Sequence, residues 1–322
     1  MSDGGLLLLE KSMNSLTAFF KKPGRAAWIM FLVVPPMVFM ATFVIWPILS
    51  ALAYAFYHWE GLKRGEFVGL DNFIDVLTRE PFAAWTLNAF LHNVWVFVAL
   101  MIVQNGLGFL IAYAISKELP GHRFHRVAVF LPVILSTVIV GFLWKLFLHP
   151  LFGLVNAALV AVGLDSWAQP WLGQEGTALW ALIFVNAWHW VGFPALVFLA
   201  GMQRIPSEVI DAARLDGASE WTMITKIVWP LVAPSATICF VLLFIGSFNW
   251  FELPYVMTGL DGSPYGKTDV LGLLFYRTAF GNQSAGVQDF GRGSALAVLT
   301  FLFIAVVSAF WTIRLRKREI EV

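Results

Sequence analysis

Two apolar runs of this chain carry side chains that could recognise a polar solute. One holds Asn186, Trp188, His189 and Trp190, the other Asn249, Trp250 and Glu252. Indole faces suit the apolar side of a pyranose, and amides or a carboxylate suit its hydroxyls. An amide exposed to lipid is costly, so Asn186 and Asn249 each either line a polar path or bond a neighbouring helix. Trp188 and Trp190 are two apart and cannot face one point on a straight helix. Taken singly, the tryptophans read more readily as lipid-facing or interfacial packing, and Glu252 as a residue of the outer interface. His189 reads as a satisfied residue between helices rather than a proton carrier. The candidate substrate pathway is Asn186, Trp188, Trp190, Asn249, Trp250 and Glu252.

Covalent chemistry is not written here. The chain has no HExxH pattern, no catalytic serine motif, no cluster of internal carboxylates and no G-x-x-x-x-G-K-S/T loop to cradle the phosphates of ATP. Cys239 is the lone cysteine, which excludes an intramolecular disulfide or a thiolate metal cluster. It reads as a small buried hydrophobe. No catalytic residue, metal or cofactor is expected on this chain.

The elements that must position the candidate residues are membrane helices. With 322 residues, 59% of them hydrophobic and only 13% charged, the chain is too apolar for a soluble domain of its size. Six spans are expected, at about 28–54, 93–115, 127–147, 177–200, 231–256 and 293–313. Each is long enough for a bilayer core of about 30 Å at about 1.5 Å per residue. Pro35, Pro36 and Pro47 imply kinks in the first span. Gln104 and Asn105 must face other helices or water, and Lys145 can snorkel toward the outer surface. Residues 1–27 lack signal-peptide order and read as a cytoplasmic tail, with an interfacial helix over 12–20 as an option. Residues 28–316 form the six-span domain and 317–322 a second cytoplasmic tail. The segment 258–291 is rich in Gly and small residues, and its first part could re-enter the membrane edge. Placing both termini inside puts fourteen of the 21 Lys and Arg residues on the cytoplasmic side, as the positive-inside rule requires.

Between the fourth and fifth spans lies IPSEVIDAARLDGASEWTMITKIVWP, residues 205–230. It reads as two short amphipathic helices around Gly217, the first N-capped by Ser207 with Val209, Ala212, Ala213 and Leu215 on its apolar side. Ile224, Ile227 and Val228 are the apolar positions of the second, and Pro230 leads into the next span. Such a unit is a rigid foot at the membrane surface, placed in the cytoplasm by the charge distribution.

The run Asp211-Ala212-Ala213, three residues, Gly217, nine residues, Ile227-Val228-Trp229-Pro230 resembles the cytoplasmic signature of binding-protein-dependent ABC importer permeases, with Asp211 for the usual Glu and Trp229 for the usual Leu. Smaller elements are similar to others of that family: Gly69-Leu70-Asp71-Asn72-Phe73, Gly153-Leu154-Val155-Asn156, Met257-Thr258-Gly259 with Gly262-Ser263-Pro264, and Gly291-Arg292-Gly293-Ser294-Ala295-Leu296-Ala297. The resemblance covers about residues 27–316 and is to the carbohydrate type, maltose and glycerol-3-phosphate permeases among them. It implies an all-α, six-span type I importer fold in the cytoplasmic (inner) membrane of a bacterium or archaeon. The implied partners are a second related permease, two ATPase subunits that bind ATP-Mg, and an extracytoplasmic solute-binding protein. It further implies coupling to the ATPase through Glu208, Asp211, Ala212, Ala213, Gly217, Ala218, Ile227 and Pro230, and a sugar or a polyol derivative as substrate. Arg64, Asp71, Asp165 and Asp269 are candidate contacts for the binding protein, although each reads more readily as a solvated surface charge. A secondary transporter coupled to an ion gradient is the alternative from a different class; it wants a carboxylate deep in a span, which Glu252 supplies only if it lies lower than expected.

Overall fold

The structure, a computed structural model, describes residues 25–61, 63–117, 120–281 and 288–316. The option of a helix over 12–20 and the basic residues Lys11, Lys21, Lys22, Lys317 and Arg318 lie outside these.

Two compact units divide at Tyr54 and Ala55. The first consists of α1 (Arg25–Met40), a π-helical turn (Ala41–Ile45) and α2 (Trp46–Tyr54). Its apolar stretch Trp28–Tyr54 has 27 residues, about 40 Å at 1.5 Å each, and is long enough to cross a membrane. The helix runs through Pro35 and Pro36 and widens instead at the turn before Pro47. There the proline ring would meet the carbonyl four residues back, and a π turn relieves that clash.

The second unit opens with an antiparallel ribbon, β1 (Tyr57–Glu60) and β2 (Lys63–Phe67), and α3 (Asp71–Thr78). α4 (Phe82–Leu100), a π turn (Met101–Asn105) and α5 (Gly106–Ser116) then form one continuous helical stretch, Phe82–Ser116, which starts earlier than the expected 93. Its first turns stand in the polar segment that hydropathy alone assigns to a loop.

Three expected spans are bent. α6 (His122–Phe130) and a 3-10 turn (Leu131–Ile134) meet α7 (Thr137–Phe147) at 97°. Leu135 and Ser136 are extended between them, with ψ of 148° and 135°. After α8 (Leu154–Ala161), α9 (Ala178–Trp190) and α10 (Gly192–Met202) meet at 44°. Pro194 explains that bend, because its ring opposes the Trp190 carbonyl. α11 (Ser207–Leu215) leads to α12 (Glu220–Thr222), a π turn (Met223–Val228) and α13 (Trp229–Leu231), which meet α14 (Ala233–Phe248) at 73°. The expected fifth span, 231–256, therefore ends at Phe248, and a separate helix α15 (Glu252–Thr258) follows. α16 (Leu271–Phe280) and α17 (Phe290–Arg316) complete the unit.

The breaks pack against each other. A Cβ on Gly192 would stand 2.6 Å from the Val129 carbonyl oxygen, and the buried His189 ring nitrogen Nε2 bonds the Leu135 carbonyl at 3.2 Å. His189 thus lies between helices as expected, but only half satisfied, since its buried Nδ1 has no hydrogen-bond partner. A Cβ on Gly108 would meet the Pro194 ring at 2.9 Å, so α5 and α10 touch nearly backbone to backbone. At the other end, Asn93 is fully buried and joins three elements: its Nδ2 donates to the Ser247 carbonyl at 2.6 Å and its Oδ1 accepts from Leu271 N at 2.9 Å. Edge-on phenylalanines, Phe97 against Phe240 and Phe244 and Phe90 against Phe303, seam α4, α14 and α17.

Asp269 departs from the expectation of a solvated surface charge that could touch a partner. It is buried, and Arg277 grips it with two bonds of 2.6 and 2.5 Å while also donating to the Leu260 carbonyl at 3.2 Å. The pair folds the loop before α16 onto itself, so neither group faces outward. Asp75 is likewise clasped by Arg79 and Arg292, each at 2.8 Å.

Candidate functional site

Two sites stand out, a surface foot and a half-open cavity. In the foot, Pro206 rather than Ser207 is the N-cap, with φ −58° and ψ 137°, and α11 begins at Ser207 itself. The extended proline halts the helix before serine can act as its cap. The side-chain cap comes one helix later, where Ser219 Oγ accepts from Thr222 N at 3.3 Å. Gly217 joins the two helices with φ +75°, a left-handed conformation that side chains resist.

The expected apolar side of α11 is also corrected. Ala213 turns inward with Ile210, whereas Val209, Ala212 and Leu215 are exposed, Leu215 at 89%. The 3.6-residue period permits either stripe, and contact with the bundle selects the one continuous with Ile205 and Ala218. Met223, Ile224, Ile227 and Val228 pack from the second half of the foot onto Phe109, Ala112 and Ile115 of α5 and Phe198, Leu199 and Met202 of α10. Lys117 Nζ and Tyr113 Oη both bond Glu220 Oε2 at 2.6 Å, tying the foot to the end of α5. Of the eight foot residues named from the sequence, Glu208, Asp211, Ala212 and Gly217 face outward. Ala213, Ala218, Ile227 and Pro230 are wholly or partly covered by the chain itself. The outer face also shows Trp221, 73% exposed, which the sequence reading missed because a lone aromatic there has no partner in the periodic pattern.

The cavity, about 610 Å³, is bounded by α4 and its π turn, α7, α9, α10, α14 and the start of α15. It brings together Asn186, Trp190, Asn249, Trp250 and Glu252, as well as Gln104 and Asn105 from the π turn. Trp188 is not among its lining residues; it packs edge-on against Trp144 with ring centres 5.5 Å apart. Being two residues from Trp190, it points to another side of α9. Asn186 Nδ2 donates to Gln104 Oε1 at 3.2 Å, which leaves the pair's other amide atoms for water or ligand. Ser247 also lines the cavity, and its buried Oγ has no hydrogen-bond partner. Thr137 and Phe193, which follow the breaks in the two bent helix pairs, complete the wall in a way that linear spacing does not reveal. The lining is mainly aliphatic and aromatic, with isolated neutral hydrogen-bonding groups and one carboxylate, Glu252. Among the described residues, no group of three His, Cys, Asp or Glu could hold a metal ion.

Comparison with known proteins bears on both sites. Residues 14–319 match the family model described as binding-protein-dependent transport system inner membrane component. The chain is 29% identical over 309 residues to the probable starch degradation products transport system permease protein AmyD of Thermoanaerobacterium thermosulfurigenes, covering 96% of this chain and 100% of that one. It is 31% identical to the multiple sugar-binding transport system permease protein MsmF of Streptococcus mutans, over 86% of this chain and 91% of that one. It is 30% identical to the trehalose/maltose transport system permease protein MalF of Thermococcus litoralis, over 90% and 94%. In fold it resembles a chain of a bacterial ABC transporter involved in alginate import, with a TM-score of 0.76, 24% identity, and coverage of 91% of this chain and 96% of that one.

Proposed function

The chain belongs to the family of binding-protein-dependent transport system inner membrane components, and from that premise we propose that it is one of two permease subunits of an ATP-driven sugar importer. The observation that carries the coupling half of this reading is the foot. Its inner face is packed and tied to α5 and α10, while its outer face offers Leu215 and Trp221 beside Glu208 and Asp211. Exposed apolar side chains rimmed by charge are a surface built to be covered by another protein. In this reading the cover is one of two ATPase subunits carrying ATP-Mg, the foot sits in the cytoplasm, and both chain termini lie on that side.

The cavity supplies the other half. Three similar proteins are named for starch products, multiple sugars and trehalose or maltose, and the wall combines indoles with amides in the manner that suits a saccharide. An extracytoplasmic binding protein delivers the sugar to this pathway, which a second permease completes. Closure of the ATPases moves the foot, and the foot moves the bent pairs that frame the cavity.

The test is ATP hydrolysis by the complete complex in lipid, with and without sugar-loaded binding protein. Leu215→Asp and Trp221→Asp should each lower the stimulation at least tenfold while leaving the permease pair intact. Uptake that continues without any ATPase subunit, and stops only when an ion gradient is collapsed, would replace this reading with that of a secondary transporter.

A further inference from the structure

The cavity's charge is one-sided. Among the described residues lining it there is one carboxylate, Glu252, and no Lys, Arg or His. Its remaining polar atoms are neutral: the Gln104–Asn186 amide pair, Asn105, Asn249 and the unpartnered Ser247 hydroxyl. Recognition of a carboxylate or phosphate normally uses cationic donors, Arg above all, in paired hydrogen bonds. Glu252 and Asn249 are exposed on this wall, and a fixed carboxylate there repels a like charge that comes within a few ångströms of it, the more weakly the more water and salt lie between.

Resting on the reading of this cavity as the sugar pathway, we propose that it selects saccharides by charge: Glu252 is a specificity-determining residue that admits neutral and cationic sugars and disfavours uronates and sugar phosphates. The neutral groups supply donors and acceptors for hydroxyls at no charge cost, and Trp190 and Trp250 supply the faces. Glu252 accepts from a hydroxyl or an ammonium and has nothing to donate to an anion.

The experiment uses the assembled transporter in lipid nanodiscs without binding protein, so that delivery does not filter the ligands. Saturation-transfer NMR measures affinity for triacetylchitotriose (neutral), chitotriose (cationic) and trigalacturonate (anionic). The readout is the ratio of neutral to anionic affinity in each variant relative to the unmodified chain, which cancels whatever charges the partner permease contributes. Glu252→Gln should lower this ratio about tenfold, and Asn249→Asp, which adds a second carboxylate to the same wall, should raise it. Both shifts should shrink at high salt. A ratio unchanged in both variants overturns charge selection and leaves the pathway reading standing. Absence of binding by all three saccharides removes the pathway reading and this proposal with it.

Discussion

At the scale of the residue, the most consequential side chains are polar groups that hydropathy cannot rank. Asn93 carries two cross-element hydrogen bonds, and Arg277 holds a carboxylate that would otherwise be stranded away from water. Burial pushes the Asp269 carboxyl above the usual range, and Arg277 pulls against that shift. A raised folded-state value means that the folded protein favours the protonated form, so the group's contribution is fully present below the unfolded value and is lost as pH rises through the folded one. Arg277→Met removes the opposing cation and should cost about 3–5 kcal/mol at neutral pH, the usual result of leaving one member of a buried pair. Thermal unfolding of the assembly should show a larger loss at pH 8 than at pH 5.5, where Asp269 can take up a proton. An equal loss at both values would mean that the carboxylate is not what the arginine stabilises.

At the scale of the element, the bent pairs depend on close backbone approach. Gly192→Ala would set a methyl group 2.6 Å from the Val129 carbonyl oxygen and 3.0 Å from the Phe130 Cα, neither of which can rotate away. Gly246 lies in α14, where an added Cβ meets nothing within 4 Å. Alanine there should be neutral or gain about 0.5–1 kcal/mol from helix propensity. Melting temperatures of the two variants should therefore move apart, Gly192→Ala downward and Gly246→Ala unchanged or upward. Equal shifts would show that the two breaks do not rest on each other. The second half of the foot continues through a 73° turn into the helix that carries Ser247 to the cavity wall.

At the scale of the whole molecule, the proposed orientation sets the foot and the loop around Tyr265 on opposite sides of the membrane. Tyr265 and Leu215 are both almost fully exposed, so each can be tested without disturbing a core. With Cys239 replaced by Ala, a cysteine at position 215 should react with an impermeant maleimide in inside-out vesicles only, and one at 265 in right-side-out vesicles only. Reaction of both from the same side would overturn the two-sided arrangement and the cytoplasmic placement of the foot.

The sequence by itself determined the membrane class, the positions of the apolar runs, the glycine turn of the foot and the family. Hydropathy, charge asymmetry and motif spacing are local properties that survive being read along a line. It also singled out Asn186, Trp190, Asn249, Trp250 and Glu252, because a polar side chain in an apolar run must be satisfied somewhere. Only the tertiary structure decided which of the candidates meet. The surroundings of α9 place Trp190 at the cavity and Trp188 against Trp144, on two sides of one helix, and the wide turn before Gly106 brings Gln104 to Asn186. The choice of Ile210 and Ala213 as the buried stripe of α11, and the burial of Asp269, belong to the same class. Each rests on which neighbouring surface is present to cover a side chain, and helix periodicity leaves that choice open.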